Sequence, residues 1–493
     1  MTRPRLRATG LATAALVAAG LLATPTAASA VPAKPTPAPG KPKAAPGKPK
    51  PGKPCTPRYS PGAPSIGDPY FPDQGNGGYD VKHYDLDFSY DPATQVMDAT
   101  ATITAHATQN LDRFDLDFRG PEITSLTVDG KKSAFSRDGQ ELVVTPHGKL
   151  KAGKKFTVVV KYAGVPGPVT DPDGSIEGWI PTDDGAFVVG EPQGTPAWLP
   201  SNDTPTDKAT FRFTAKVPEG LTAVGNGQLL SQRTRNGWTT FVWDSTEPMA
   251  TYLATITIGT FEVTESVTPS GIPSYVAIDP RLVAGSANAV SQIPKMMEFF
   301  TGKFGPYPFA STGAIVDYAP QVGYALETQT KPIFSNTASV GTMAHEIAHQ
   351  WYGNSVSPER WKDIWLNEGF ATYGQWMYTE FNGGATVEAT FNNSSNYGRA
   401  ATSSFWQVLL ADPGPMEMFS SIPYNRGAMT LHALRGKVGE EAFARILRRW
   451  AAIHRYSHAA TADFVSLAER ESGQDLTAFF DVWLFQKGKP TSW

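Results

Sequence analysis

Two histidines and a glutamate lie in a five-residue segment, His345-Glu346-Ile347-Ala348-His349, whose spacing favours metal chemistry. On a helix, residues i and i+4 share one face one turn apart, so both imidazoles can reach a single metal ion. Glu346 lies about 100° around the helix from His345 and can flank that ion without binding it. The H-E-x-x-H pattern is typical of zinc sites in which the glutamate acts as general base. The alternative is that both histidines are ordinary core residues.

Glu368 is the candidate for a third metal ligand, nineteen residues after His349. A second helix, folded back on the first, would present its carboxylate to the same ion. Two neutral histidines and one carboxylate leave the ion positively charged with an open fourth position, which is the catalytic pattern. A closed site of cysteine thiolates is excluded because the chain has a single cysteine, Cys55. The alternative is that Glu368 is a surface acid.

The composition of the chain argues against nucleic acid as a partner. Its 493 residues correspond to about three domains of ordinary size. Residues 1–60 contain ten Lys and Arg and no acid, which leaves 33 basic against 46 acidic residues in the remaining 433. A nucleic-acid-binding body needs a basic face, which this balance does not provide. The single cysteine also excludes an internal disulfide framework.

Residues 1–30 have the features of a secretory signal peptide. Three arginines are followed by an apolar stretch from Leu11 to Ala23 and by small residues that end at Ala30, the expected cleavage point. This stretch is shorter than the roughly twenty apolar residues that span a bilayer, and no later segment is long and apolar enough. We therefore expect a secreted, extracellular protein without a membrane span.

Residues 31–66 are rich in Pro, Lys and Ala, and we expect them to form a disordered tether. Twelve prolines fall in the 34 positions from 31 to 64, and proline lacks a backbone donor. The lysines would attract an anionic surface such as a cell wall weakly. The alternative is a solvated spacer with no binding geometry. Cys55 lies in this tether and is interpreted as an incidental thiol.

Two folded regions follow, and they differ in the period of their apolar residues. From 67 to 265 the period is two, as at Tyr84, Leu86 and Phe88, which predicts a largely antiparallel β domain. From 266 to 493 helical spacing takes over, which predicts a mainly α region with a small sheet. The predicted helices include Asp363–Glu380 and Leu476–Phe485. The metal motif belongs to this second region.

The tandem motif of His345–His349 and Asn367-Glu368-Gly369 resembles the aminopeptidase N (gluzincin) family of zinc metallopeptidases. Three further segments resemble the family less specifically, namely 202–211, 323–328 and 422–428. The resemblance covers about residues 75–493. It implies an N-terminal β saddle-like domain, then a thermolysin-like α/β, mostly α, catalytic domain with one zinc ion per chain.

The resemblance also implies a catalytic role for residues at matching positions. His345, His349 and Glu368 would hold the zinc ion, and Glu346 would take the proton of the attacking water and pass it to the leaving amine. Tyr424 would donate a hydrogen bond to the developing oxyanion. The alternative for Tyr424 is an aromatic side chain packed at the start of a helix.

Substrate binding is implied for four other residues. Glu327 would bind the free α-ammonium group of a peptide, so that only the first peptide bond meets the zinc. Glu191 matches a second ammonium-binding carboxylate, supplied by the β domain. Gly323 and Ala325 belong to the family's substrate-binding segment. The alternative for Glu327 is an edge-strand carboxylate without a partner.

Two departures from the family affect the expected cleft. Much of the family has glycine at the position of Tyr324, so the tyrosine reshapes the cleft wall and the first side-chain pocket. Residues 487–490 resemble the end of the family's catalytic domain. We therefore expect a short form that lacks the C-terminal helical domain and has a more open cleft.

Three hypotheses of function follow from the sequence. The first is a secreted zinc aminopeptidase that acts on peptides with a free N-terminus. The second is a zinc endopeptidase in which the open cleft outweighs Glu327. The third is a non-catalytic, wall-associated binding protein that uses the β domain and the basic tether. The intact zinc set argues against the third, and a blocked substrate N-terminus separates the first two.

Overall fold

The computed structural model describes residues 58–492. The predicted signal peptide, Cys55 and most of the predicted tether lie outside these residues. The end of the predicted tether is ordered, contrary to expectation. Strand Ser60–Pro61 pairs in parallel with the strand that contains Leu111 and Arg113. Backbone pairing with the β domain therefore orders a segment that cannot build a core of its own.

Seventeen strands precede residue 260 in the described part of the chain. They are β1 (Ser60–Pro61), β2 (Tyr79–Asp91), β3 (Val96–Ala107), β4 (Leu111–Asp117), β5 (Glu122–Val128), β6 (Lys131–Lys132), β7 (Ala134–Asp138), β8 (Glu141–Thr145), β9 (Lys155–Gly164), β10 (Pro168–Thr170), β11 (Ile176–Pro181), β12 (Ala186–Val189), β13 (Ala209–Pro218), β14 (Thr222–Gly225), β15 (Gln228–Arg235), β16 (Trp238–Met249) and β17 (Ile256–Gly259).

These strands form three sheets. The largest has the order β15-β16-β13-β2-β3-β9-β5-β6, the second β10-β11-β12-β17-β14 and the third β1-β4-β8-β7. Within the largest sheet β13 and β2 are parallel and the other pairs are antiparallel. The alternation predicted from the sequence is confirmed in β2, where Tyr84, Leu86 and Phe88 are all buried.

The second region contains seven strands and nine α-helices among the described residues. The strands are β18 (Glu262–Val267), β19 (Pro273–Ile278), β20 (Thr312–Val316), β21 (Ala325–Leu326), β22 (Ile333–Phe334), β23 (Val356–Pro358) and β24 (Ser457–Ala459). The helices are α1 (Val283–Ser291), α2 (Ile293–Phe304), α3 (Val340–His349), α4 (Trp365–Phe381), α5 (Val387–Asn392), α6 (Gly427–Val438), α7 (Glu440–Ile453), α8 (Thr461–Ser472) and α9 (Thr477–Phe480).

The small sheet of this region has the order β18-β19-β20-β22-β21, with β18 and β21 antiparallel at its edges. The fold class predicted from the sequence, a β domain followed by a mainly helical region, is confirmed. Strand β18 begins at Glu262, close to the boundary predicted at residue 265, and the boundary itself stays a prediction. Among residues 58–492, no helix combines the length and the apolar character that a membrane crossing requires.

The two regions share apolar packing. Trp361 and Ile315 of the second region belong to the same buried cluster as the core of the β domain. The ring of Trp361 meets the ring of Tyr252 edge-on, with centroids 5.2 Å apart. This continuous core fixes the β domain against the helices that carry the metal motif.

Glycines allow α4 to approach two other helices closely. A Cβ atom added at Gly374 would lie 2.8 Å from the Cβ of Ala348 on α3, and one at Gly369 would lie 2.8 Å from the Cα of Gly427 on α6. Only a residue without a side chain fits such contacts. Helix α4, which carries Glu368 in its first turn, is therefore held close to both α3 and α6.

Candidate active site

Helix α3 presents the two histidines of the metal motif. The helix begins after Ser339, whose hydroxyl oxygen accepts the N–H of Thr342 at 3.0 Å and caps the helix. His345 and His349 follow one turn apart and both are buried. Their Nε2 atoms lie 3.0 Å from each other, so both rings point to one position.

Glu368 completes a set of three ligand atoms. Its Oε2 lies 3.1 Å from Nε2 of His345 and 3.3 Å from Nε2 of His349. Ligands about 2.0–2.1 Å from a tetrahedral zinc ion lie roughly 3.3 Å from one another. The three separations observed here are close to that value. Two imidazoles and one carboxylate, with no thiolate, fit a catalytic zinc ion with an open position.

A carbonyl group sets the tautomer of His349. Its Nδ1 lies 2.9 Å from the carbonyl oxygen of Tyr352, which can only accept a hydrogen bond. Nδ1 therefore carries the proton and Nε2 keeps the lone pair that a metal needs. On the other histidine, Nδ1 lies 3.5 Å from the hydroxyl of Thr372.

Glu346 lies beside the ligands and not among them. One of its oxygens is within 4.8 Å of ligand atoms of His349 and Glu327, and the side chain lines the cavity described below. Burial raises the pKa of Glu346 well above its ordinary range. A positive ion bound at the histidines would lower this pKa again.

Tyr424 lies against the imidazole ring of His345. It belongs to a π-helical turn, Ile422–Arg426, that leads into α6. Its ring stacks on the His345 ring with centroids 5.7 Å apart and planes 16° apart. Burial raises the pKa of Tyr424 well above its ordinary value, and the charge of Glu368 adds to this rise. The phenol therefore stays protonated and can donate a hydrogen bond.

Glu327 follows β21, and hydrogen bonds to its backbone carbonyl oxygen hold it in place. Its carbonyl oxygen accepts hydrogen bonds from Nε2 of Gln350 at 3.0 Å and from Nδ2 of Asn354 at 2.6 Å. The side chain is only 2% exposed, and within residues 58–492 its Oε1 has no hydrogen-bond partner. Burial raises the pKa of Glu327.

Glu191 approaches the same place from the β domain. It follows β12, is 7% exposed, and its Oε1 also has no hydrogen-bond partner in the described part of the chain. One oxygen each of Glu191, Glu327 and Glu368 lies within 4.8 Å of the others. Burial, reinforced by the charge of Glu327, raises the pKa of Glu191. Two buried carboxylates with unpaired oxygens, Glu191 and Glu327, beside a third carboxylate favour a bound cation.

The β domain supports the loop behind these residues. Nζ of Lys208 donates to the carbonyl oxygens of Asn354 and Ser355 at 2.8 and 3.0 Å. The hydroxyl of Tyr252 donates to the carbonyl oxygen of Gly353 at 3.0 Å. Sequence reasoning missed this role: Lys208 lies in a segment that resembles the family, but its partners are more than 140 positions away in the chain.

A cavity of about 520 Å³ is lined by the three ligand residues and by Tyr424. The acids that line it are Asp173, Glu191, Glu327, Glu346 and Glu368, and no Lys or Arg of residues 58–492 lines it. Of the two other predicted substrate-binding residues, Ala325 lines the cavity and Gly323 does not. Gly323, with φ of +79°, forms a turn that lines a neighbouring depression instead.

Comparison with known proteins agrees with this geometry. Residues 319–483 match the Peptidase family M1 domain, and residues 80–253 match the Peptidase M1 N-terminal domain. The chain belongs to peptidase family M1. The first match contains the metal motif and Glu368, and the second contains Glu191.

Solved M1 structures share the whole two-region fold. An M1 zinc metallopeptidase from Deinococcus radiodurans is similar with a TM-score of 0.79 and 29% identity, over 87% of this chain and 98% of that one. A variant of that protein bound to a Tyr-Ser-Ala substrate gives a TM-score of 0.80 at 28% identity, with the same coverage.

Curated M1 relatives are longer than this chain. Aminopeptidase M1-B of Oryza sativa subsp. japonica is 31% identical over 324 residues, which is 60% of this chain and 36% of the relative. Leucyl aminopeptidase of Saccharolobus solfataricus is 28% identical over 410 residues, which is 76% of this chain and 50% of the relative. The chain thus matches about a third to a half of the length of these two relatives.

Proposed function

We propose that this M1 protein is a zinc-dependent aminopeptidase that removes N-terminal residues from peptides. The observation that carries the proposal is the position of two buried carboxylates, Glu191 and Glu327, next to a three-residue zinc ligand set. Each has one oxygen without a hydrogen-bond partner among residues 58–492. The ligand set supports hydrolysis, and the two carboxylates support recognition of a free ammonium group. Similar proteins that are named aminopeptidases support the same activity.

The chemistry of the proposed reaction begins at Glu346. When bound, a zinc ion supplies Lewis-acid chemistry, polarising a carbonyl group and making water more acidic. Glu346, which flanks the ligands without belonging to them, accepts the proton of the attacking water. Because its carboxylate remains beside the reacting bond, it passes this proton to the leaving amine.

Tyr424 stabilises the charge that develops during this reaction. Its phenol is protonated, its ring stacks on His345, and it lines the same cavity as the ligand set. It donates a hydrogen bond to the oxygen that becomes negative as water attacks the carbonyl. Since that charge is largest in the transition state, the bond contributes mainly to turnover.

The register of the substrate is set by Glu191 and Glu327. They bind the α-ammonium group, and Glu368, within 4.8 Å of both, marks the metal position. A peptide held in this way presents its first peptide bond to the metal. Strand β21, which contains Ala325, is the last strand of its sheet, and its open edge can pair with an extended peptide.

Hydrolysis of matched free and N-acetylated aminoacyl reporters tests the proposal. We expect the zinc-loaded protein to cleave the free reporters, to lose this activity with a chelator and to regain it with zinc. Acetylation removes the ammonium group and leaves two buried carboxylates unpaired, so it should lower kcat/KM at least tenfold. Equal rates on both forms, together with internal cleavage of longer peptides, would favour the endopeptidase hypothesis instead.

We also propose that the protein is secreted, on the basis of the basic, apolar and small-residue pattern of residues 1–30. Expression in a host with a secretory pathway, followed by N-terminal sequencing of the protein in the medium, tests this proposal. A new N-terminus next to Ala30 is expected. Retention of the intact N-terminus inside the cell would contradict it.

A further inference from the structure

One acid of the cavity has no role in the proposed reaction. Glu346 serves the attacking water, Glu368 the metal, and Glu191 and Glu327 the ammonium group. The fifth acid, Asp173, lies in the turn between β10 and β11 and is exposed at the cavity wall.

The local structure holds Asp173 in place and leaves one of its oxygens free. Its Oδ1 accepts the N–H of Ser175 at 2.9 Å and the hydroxyl of Ser175 at 2.7 Å. Among residues 58–492, its Oδ2 makes no hydrogen bond and no ion pair. The neighbouring hydroxyl of Tyr324 donates to the carbonyl oxygen of Ile176 at 2.9 Å, which ties the β10–β11 turn to the cavity wall.

The position of this turn relates Asp173 to one part of the substrate. The chain runs from Tyr324 through β21 to Glu327, three residues of extended backbone or about 10 Å. The hydrogen bond from Tyr324 to Ile176 brings the β10–β11 turn to the segment that leads to Glu327, and Asp173 lines the same cavity as Glu327. A lysine or arginine side chain on the first residue of a peptide would enter this shared cavity and carry its charge to the end of a long apolar stem.

The remaining lining favours a long cationic side chain. Trp376 and Phe419 also line the cavity and offer apolar surface for its methylene groups. The absence of Lys and Arg from the lining leaves Asp173 as a carboxylate without a cationic partner there. An acidic side chain at the same place would meet repulsion from the same carboxylate.

We propose that Asp173 is a specificity-determining residue that selects a cationic side chain, of the lysine or arginine class, on the first residue of the substrate. This inference rests on the proposed aminopeptidase activity and adds its substrate class. Because Asp173 is exposed, its contribution is that of a partly screened ion pair, about two- to fivefold in kcat/KM.

Arginyl and citrullinyl reporters test this inference, because citrulline has nearly the shape of arginine without its charge. In the parent protein we expect the ratio of kcat/KM, arginyl over citrullinyl, to be at least about twofold. In Asp173→Asn the ratio should fall towards one, and in Asp173→Lys it should fall below one. Glutamyl and glutaminyl reporters should show the opposite change, and a rise in salt should shrink all of these differences.

Asp129→Asn is the matched control. Asp129 is also an exposed turn acid whose Oδ1 accepts a backbone N–H at 2.9 Å, that of Thr157, but it does not line the cavity. This variant should keep the parent ratio. A change of the ratio in this control as large as that in Asp173→Asn would overturn the assignment to Asp173.

Two other results would also overturn the inference. The first is an equal rate on arginyl and citrullinyl reporters in the parent, or an unchanged preference in Asp173→Asn. The second is a preference for arginine that appears only at the second residue of dipeptides. In both cases hydrolysis of the reporters would still uphold the aminopeptidase proposal. If the zinc-loaded parent cleaved no free reporter, the proposed function itself would fail.

Discussion

Two sets of buried carboxylates have different surroundings in this molecule. The buried cavity acids are Glu191, Glu327, Glu346 and Glu368, and the β-domain acids compared with them are Asp117 and Asp207. All six are at least nine-tenths buried, and burial raises the pKa of both β-domain acids as it does for most cavity acids. The two sets differ in the hydrogen-bond donors that the described residues supply to their carboxylate oxygens.

The β-domain acids receive their hydrogen bonds from their own chain. Asp207 accepts the N–H of Val81 at 3.1 and 3.2 Å and Nδ2 of Asn202 at 2.5 Å. Asp117 accepts the N–H of Asp203 at 2.7 Å and two further donors. Both oxygens of each acid are therefore satisfied, which is the usual condition of buried structural groups.

The cavity acids lack such donors. Glu191 and Glu327 each have a buried oxygen without a hydrogen-bond partner among the described residues. Glu368 faces two histidines, and Glu346 faces open space in the cavity. Burial alone thus does not distinguish a functional acid from a structural one. Unpaired buried oxygens also occur at Asp115, Glu177 and Asp203 of the β domain. The distinguishing feature of Glu191 and Glu327 is an unpaired oxygen on a side chain that lines the cavity beside the metal ligands.

Glu346→Gln should have the largest effect on activity. The amide keeps the size of the side chain and removes its basicity, so kcat should fall by roughly two to four orders of magnitude. Steady-state kinetics with a free aminoacyl reporter and elemental analysis of zinc check this result. One zinc ion per chain should remain. A metal-loaded variant with near-parental turnover would place the base elsewhere.

Tyr424→Phe should have the second largest effect on activity. We expect a loss of roughly two to three orders of magnitude in kcat and a smaller change in KM. The change removes one donor and keeps the ring that stacks on His345. Tyr318→Phe, at an exposed tyrosine outside the cavity, is the matched control and should keep parental kinetics. A loss confined to KM would show that Tyr424 binds substrate and does not stabilise the transition state.

Glu327→Gln should lower kcat/KM for free aminoacyl reporters about ten- to a hundredfold, since a hydrogen bond between charged groups is lost. Residual cleavage of acetylated reporters should change little, because these reporters never form the contact. Glu265→Gln, on the exposed strand β18, controls for the loss of one negative charge. Equal losses on free and acetylated reporters would remove Glu327 from substrate recognition.

Asp207→Asn should lower stability and leave turnover per folded molecule unchanged. The amide turns a donor towards groups that are themselves donors, which should cost about 1–3 kcal/mol in the free energy of unfolding. Thermal unfolding, with kinetics normalised to the folded fraction, checks this expectation. A large kinetic defect in stably folded Asp207→Asn would break the contrast between the two regions.

The same variant has an expected pH dependence. Burial raises the pKa of Asp207 in the folded state to about 7, against about 3.9 in an unfolded chain. The folded state therefore binds the proton more tightly, and this stabilisation is fully present below about pH 4 and lost as pH rises to about 7. The stability difference between parent and Asp207→Asn should be larger near about pH 5 than near about pH 8. A stability difference between parent and variant that grows as pH rises would contradict this expectation.

The sequence predicted the metal motif because the relevant distances are local. The i, i+4 spacing of His345 and His349 fixes their geometry as soon as a helix forms. The meeting with Glu368 needs a second helix, and the sequence indicated it only through the family resemblance. The glycine contacts that bring α4 to α3 depend on the packing of distant segments, which no local pattern specifies.

Two helix boundaries differ from those predicted from local sequence. The sequence predicts a helix from Asp363, yet α4 begins at Trp365. The carboxylate of Asp363 instead accepts the N–H and the hydroxyl of Thr461, at 3.1 and 2.6 Å. A contact almost a hundred positions away thus overrides the local preference. Similarly, the helix predicted at 476–485 ends as a π-helical turn, where carbonyl oxygens accept hydrogen bonds from Arg426.

The part of the cavity wall that the β10–β11 turn forms could not be predicted from the sequence. Asp173 and Ser175 lie in a turn of the β domain, and no spacing relates that turn to α3. Gly323 lines a neighbouring depression, and its predicted contact with substrate stays a prediction. Both results depend on how two sheets meet, which the order of residues along one strand does not encode.

The contacts of Lys208 and Tyr252 with the loop at 353–355 have a consequence for protein engineering. A chimera that joins the catalytic region of this chain to the β domain of a relative would need both donors, an ammonium group and a hydroxyl group, within hydrogen-bond distance of these carbonyl oxygens. Otherwise Asn354, and with it the carbonyl of Glu327, would lose its support while the zinc ligands stayed intact. The two regions are therefore not interchangeable modules, and shuffling libraries should place their crossover points within one region and not between them.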